Sequence, residues 1–170
     1  MNVEIEIERS AIVPVTYAQA QALLQDVEGT IRLFPKLRKL TRQKDGSHLW
    51  ELAPIGSRVA NISHEVSFAA KFLVDPDKGL VQWKPVKGQG KNQGNASIEG
   101  RLELRPHNRE TAMSLRVNGD LRDVPVPLMF RLVAPAFIQG KFAALVERYF
   151  VKLGESLGLP GETIRGAVSS

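Results

Sequence analysis

No cysteine occurs among the 170 residues. That excludes a disulfide framework, thiol catalysis and any zinc site built on thiolates. Histidine is limited to three residues, none with a carboxylate at ligand spacing, so no metal centre is expected. A glycine-flanked serine of the G-x-S-x-G type is absent, and no Ser/His/Asp arrangement is visible. No apolar run approaches the eighteen residues a membrane-spanning helix needs. The first residues, MNVEIEIERS, have neither a basic n-region nor an apolar h-region, which predicts a cytoplasmic, reducing setting.

What is abundant in one place is glycine. The stretch VKGQGKNQGN, residues 86–95, invites comparison with a phosphate cradle. It fails both tests: no glycine is followed by Lys-Ser or Lys-Thr, and Gln93 stands where a dinucleotide fingerprint requires its third glycine. The flanking segments, Leu80 to Lys84 and Ala96 to Leu104, read as strands. No helix N-terminus would face a phosphate. A flexible strand-to-strand connection is predicted, and no cofactor.

The length suits one domain with a substantial core. A hydrophobic fraction of 43% and a charged fraction of 24% are ordinary for a soluble chain. The net charge of +5 is concentrated: Arg32, Lys36, Arg38, Lys39, Arg42 and Lys44 form a run without an acid and exceed the whole excess. Such a segment suits a solvated strand and turn first, and otherwise peripheral contact with an anionic membrane or, less expected, with nucleic acid. Strand alternation places Arg38 and Lys39 on opposite faces.

Val3, Ile5 and Ile7 alternate with Glu4, Glu6 and Glu8, the mark of a strand with one buried face. Thr16-Tyr17-Ala18-Gln19 fits a capping box, so a short helix follows to about Val27, with Gly29 as its breaker. TIRLF adds another short turn of helix before Pro35. Strands dominate the next eighty residues. Asp45-Gly46 predicts a hairpin between Leu37–Gln43 and His48–Leu52, and a second turn is expected around Pro54-Ile55-Gly56. One long strand is expected from Asn61 to Val74, with Ile62, His64, Val66, Phe68, Ala70 and Phe72 on one face. Asp75-Pro76-Asp77-Lys78-Gly79 is turn chemistry. A last strand carries Met113, Leu115, Val117 and Leu121 inward. Ile138, Phe142, Leu145, Tyr149, Leu153 and Leu157 then form the stripe of a long amphipathic helix, ended by Gly158 and Pro160.

This order of elements, with DVEGTIRLFPKL between helix and second strand, DPDKGLVQW at a turn, and the closing helix, resembles the START-like (SRPBCC) superfamily. The polyketide cyclase and coenzyme Q-binding branches are the most similar. The resemblance implies an α+β helix-grip fold: a curved antiparallel sheet of about seven strands around a long C-terminal helix, with two short helices after the first strand. It covers a single domain over residues 1–157, leaving 158–170 as a loose tail. It also implies a cavity between sheet and helix for a hydrophobic small molecule such as a lipid, quinone or polyketide. A curved sheet facing one helix has more apolar wall than the helix covers, which is compatible with this. Trp50, His64, Phe68, Trp83, Met113, Phe142 and Tyr149 are the candidate ligand-binding residues. Trp50, Trp83, Phe68, Phe72 and Phe142 are bulky enough to fill the space instead. His64 interrupts an apolar face and is read either as a ligand contact or as a hydrogen-bonded core residue. His48 and His107 read as surface residues. Three functions remain open: a carrier or binding module, a cyclase or aromatase using His64 or Tyr149 for proton transfer, and a membrane-docking domain using residues 32–44. No residue carries a catalytic signature.

Overall fold

The computed structural model describes residues 1–86, 94–161, 163 and 164. The predicted connection at 86–95 therefore falls largely outside the described residues. On either side of it the chain is strand, as expected.

A seven-stranded antiparallel sheet forms the body of the molecule. Its strands are β1 (Val3–Val13), β2 (Leu37–Arg42), β3 (His48–Leu52), β6 (Ser67–Asp75), β7 (Leu80–Pro85), β8 (Ala96–His107) and β9 (Glu110–Leu121), in spatial order β1-β9-β8-β7-β6-β3-β2. Strands β4 (Ile55–Ser57) and β5 (Ile62–His64) make a separate two-stranded ribbon. The helix α4 (Ala134–Ser156) lies over the apolar face, burying Ile138, Phe142, Leu145, Val146, Tyr149, Phe150 and Leu153. In β1 the alternation holds residue by residue: Val3, Ile5 and Ile7 are buried and the three glutamates exposed. One continuous core joins sheet and helix.

Three short helices, α1 (Tyr17–Ala20), α2 (Ala22–Gln25) and α3 (Val27–Ile31), link β1 to β2. The capping box forms as expected: Gln19 N–H donates to Thr16 Oγ1 at 3.2 Å, and Thr16 N–H donates to Gln19 Oε1 at 2.9 Å. Gly29 does not break the helical segment. Its N–H is taken by Asp26 Oδ1 at 2.9 Å, so it sits inside α3 as part of that helix's capped first turn.

The long strand expected from Asn61 to Val74 is divided. Asn95 intervenes at the break, donating its side-chain amide to Glu65 O and accepting from Ser67 N–H at 2.9 Å. Backbone groups that would continue the ladder are thus satisfied by a side chain. The turn expected around Ile55-Gly56 is strand instead, because Ile55 pairs with His64 across the ribbon and Gly56 with Ser63. Gly56 permits this, since a Cβ there would overlap the Ile62 carbonyl. In β2 the register shifts between Leu37 and Lys39. This bulge overrides strict alternation, and Arg38 and Lys39 are both exposed. The tail is not free throughout: Ile164 is fully buried, its side chain lying where a Cβ on Gly154 would be.

Candidate functional site

Cross-strand pairing gathers the large rings on the sheet face that meets α4 and the short helices. Trp50 of β3 stands opposite Phe68 of β6, and Phe72 of β6 opposite Trp83 of β7. Trp50 stacks on Phe68 with centroids 4.9 Å apart, and lies 6.4 Å from Trp83 and 6.1 Å from Phe72. The next strand yields space for this aromatic wall. Gly100 of β8 is the register partner of Trp83, and any Cβ there would overlap the indole ring.

Between this wall and the helices lies a void of only ≈ 10 Å³, lined by residues that include Val27, Ile31, Trp50, Phe72, Trp83 and Tyr149. That is the threshold for a single water molecule and far below a ligand pocket. The expected surplus of apolar wall is therefore taken up by the side chains themselves. Leu23, Val27 and Ile31 from the short helices press onto the rings, and Phe34 closes the side, 5.8 Å from Trp50 and 5.1 Å from Tyr149. Three bonds and contacts fasten this cover. The Tyr149 hydroxyl donates to Thr30 O at 3.2 Å, His48 Nε2 and Glu28 Oε1 are 2.7 Å apart, and His48 packs edge-on against Phe72 at 5.5 Å. Burial pushes the Tyr149 hydroxyl well above its usual pKa, so it remains a neutral donor. The hydrogen bond from His48 holds the Glu28 carboxyl below the ordinary range.

Of the seven candidate residues, Trp50, Trp83 and Tyr149 line the void, and Phe68 backs Trp50. Phe142 and Met113 are buried in the core elsewhere. His64 sits in β5, half-buried and outside the lining. Among the described residues its Nε2 has no partner, and burial lowers its pKa against the opposing pull of Asp123. His48 is not a surface residue: it is 9% exposed and faces Glu28. Phe72, expected as a space-filling residue, also lines the void, and the lining residues not singled out from sequence are Leu23, Val27, Thr30, Ile31, Val81 and Leu102. Leu23, Val27 and Ile31 recur every four residues, the one trace of their common face.

Among the described residues, the indole N–H groups of Trp50 and Trp83 are both buried and both lack an acceptor, and Nδ1 of His48 in the cover is likewise buried without a partner. Leaving such a donor unpaired costs about 1–3 kcal/mol. A second, much larger concavity of about 920 Å³ opens on the outer face, but it is a carboxylate-lined groove with Glu4, Glu6, Glu99 and Asp120 on its walls. Its chemistry does not suit an apolar guest.

Sheet, covering helices and long C-terminal helix together make a helix-grip fold, as expected from the sequence. No family model and no curated protein sequence matches the chain. Solved structures do. A protein from Thermus thermophilus superposes with a TM-score of 0.61 at 17% identity, covering 91% of this chain and 96% of its own. The Zhui aromatase/cyclase from Streptomyces sp. R1128 follows with 0.53, 18%, 95% and 94%. A START superfamily protein from Mycobacterium smegmatis gives 0.55, 13%, 92% and 97%. At these identities the likeness is one of fold.

Proposed function

We propose that the chain binds or carries a flat, largely apolar small molecule bearing a hydrogen-bond acceptor, held between the aromatic wall and α4. The observation that carries this reading is the pair of buried indole donors, Trp50 Nε1–H and Trp83 Nε1–H, without acceptors beside a void. An aromatic wall supplies stacking area, and a carbonyl oxygen of a quinone or polyketide would satisfy one or both donors. The fold neighbours include an aromatase/cyclase, which supports the same class of guest.

The closed interior requires the cover to lift. Helices of four, four and five residues are too short to hold their form alone, so α1 to α3 are the part that yields. Parting the Tyr149–Thr30 and His48–Glu28 contacts frees them. A cyclase role draws no support from the proposed proton-transfer groups. His64 lies outside the lining, and the Tyr149 hydroxyl is engaged by Thr30 O with its pKa raised.

Calorimetric titration with menadione and with 2-methylnaphthalene, which has the same ring system without carbonyls, tests the reading. Menadione should bind at least about tenfold more tightly, the equivalent of about 1.4 kcal/mol. Equal affinities would remove the donor argument, and no binding of either compound would remove the proposal.

A further inference from the structure

We infer that one end of the molecule is a membrane-docking surface, in which an apolar turn enters the lipid interface and cations at the same end of the sheet hold anionic headgroups. The turn precedes α4. Leu128, Met129, Leu132 and Val133 are 80%, 81%, 97% and 59% exposed, four large apolar side chains within six residues. Scattered exposed apolar residues are normal, whereas a contiguous group marks a contact surface. Three of its backbone donors are satisfied within the turn: Phe130 N–H donates to Pro127 O at 2.9 Å, Arg131 N–H to Leu128 O at 3.3 Å and Val133 N–H to Phe130 O at 3.1 Å. These donors can leave water without losing their partners, a condition for entering lipid.

Strand register shows what else shares that end. Val3 pairs with Leu121, Leu121 with Ala96, Glu51 with Ser67 and Leu37 with Leu52. The end of β9, which leads into the turn, therefore lies at the same end of the sheet as the start of β2 and the root of the β4–β5 ribbon. The ribbon's tip adds Val59, 97% exposed, beside the exposed Arg58. The start of β2 adds Lys36, Arg38 and Lys39, all exposed, the last two through the bulge. Arg131 lies within the turn itself. Against these cations stand the exposed Glu65, paired with Arg38 at 3.5 Å, Asp123, and on the β1–β9 side the groove carboxylates Glu4, Glu6, Glu99 and Asp120, which share that groove with Pro135 and Ala136. Arg42 and Lys44 belong to the opposite end of β2 and take no part.

The cations on the β2 side, at the ribbon tip and in the turn select the occupant. An isologous contact between two copies through them would set like charges against each other. An anionic bilayer instead complements them together with the apolar turn, with the carboxylate groove of the β1–β9 side facing away from it. Among the described residues no helix is long and apolar enough to cross a membrane; the mode inferred is peripheral.

Co-sedimentation with vesicles of phosphatidylcholine, and of an equal mixture with phosphatidylglycerol, tests the inference. The protein should partition onto the mixed vesicles, less so as salt rises. The double variant Met129→Ser, Leu132→Ser should lower the partition coefficient by about tenfold or more with its melting temperature unchanged. Arg58→Gln with Arg131→Gln should weaken the preference for the anionic vesicles. Leu73→Ser, which removes an exposed apolar side chain in the middle of β6, should change nothing. Undiminished binding by the double variant would overturn the inference. So would a vesicle-indifferent protein that sediments as a dimer in buffer and as a monomer once Met129 and Leu132 are replaced.

Discussion

Replacing Trp83 by phenylalanine puts the unpaired indole donor to a quantitative test. Trp83 is 6% exposed, and its ring is confined between Phe72 at 6.1 Å, Trp50 at 6.4 Å and the bare Cα of Gly100. The substitution removes three ring atoms, so lost burial costs about 2 kcal/mol at about 0.8 kcal/mol per methylene-sized group. It also removes a buried N–H with no acceptor, relieving about 1–3 kcal/mol. The two effects nearly cancel, and Trp83→Phe should unfold in urea within about 1 kcal/mol of the parent. Were the indole properly bonded, the same change would forfeit the burial and orphan a partner, for a loss of about 3 kcal/mol or more. Urea denaturation followed by far-UV circular dichroism separates these cases without relying on the tryptophan signal. A loss of about 3 kcal/mol would refute the claim of an unsatisfied donor. In the ligand titration the same variant should lose affinity for menadione and not for 2-methylnaphthalene.

The remaining predictions concern the ends and the cover. His64→Leu should leave ligand affinity unchanged and stability unchanged or slightly raised, because His64 lies outside the lining and its Nε2 has no partner to orphan. Its lowered pKa means the unfolded chain takes the proton first, so stability falls as pH drops through 6.5, and the variant should flatten that decline in a melting-temperature series. Glu28 has the opposite chemistry and the same direction. Its depressed pKa gives stability present above the ordinary value of 4.5 and lost as pH falls, so Glu28→Gln should melt with a shallower acid slope, and identical slopes would discount the His48 contact. Ile164→Ala should cost about 2–4 kcal/mol if the tail is anchored at Gly154, read from the urea midpoint; a change below about 0.5 kcal/mol would mean that the contact contributes nothing.

Legibility in the sequence follows the range of the determining interaction. The β1 alternation, the Thr16–Gln19 capping box, the Asp45-Gly46 hairpin and the α4 stripe rest on neighbours within a few residues, and each is present in the structure. The division of the long strand depends on Asn95, some thirty residues away, while the apolar alternation runs unbroken through Val66. His48 reads as exposed because its partner Glu28 is supplied by a helix twenty residues earlier. In the candidate site, Trp50, Trp83 and Tyr149 are visible as large residues at inward positions. The cover is not, because Leu23, Val27 and Ile31 form a face only when two very short helices, α2 and α3, are laid end to end. The turn before α4 is likewise set by long-range structure: the path of the chain leaves Leu128, Met129, Leu132 and Val133 in water despite their apolar side chains.

The free margin of β1 has a guard. At the edge of the seven-stranded sheet, Glu6 has no strand among the described residues to pair with on its outer side, and the carboxamide of Gln139 takes that place. Glu6 N–H donates to Gln139 Oε1 at 3.1 Å, and Gln139 Nε2–H donates to Glu6 O at 2.6 Å. One amide side chain thus imitates a rung of an eighth strand. An unguarded edge is a template on which another chain's strand can add, so this helix, besides covering the core, withholds the sheet from aggregation by edge pairing. Any motion that carried the N-terminal turns of α4 away from β1 would uncover that template for as long as it lasted.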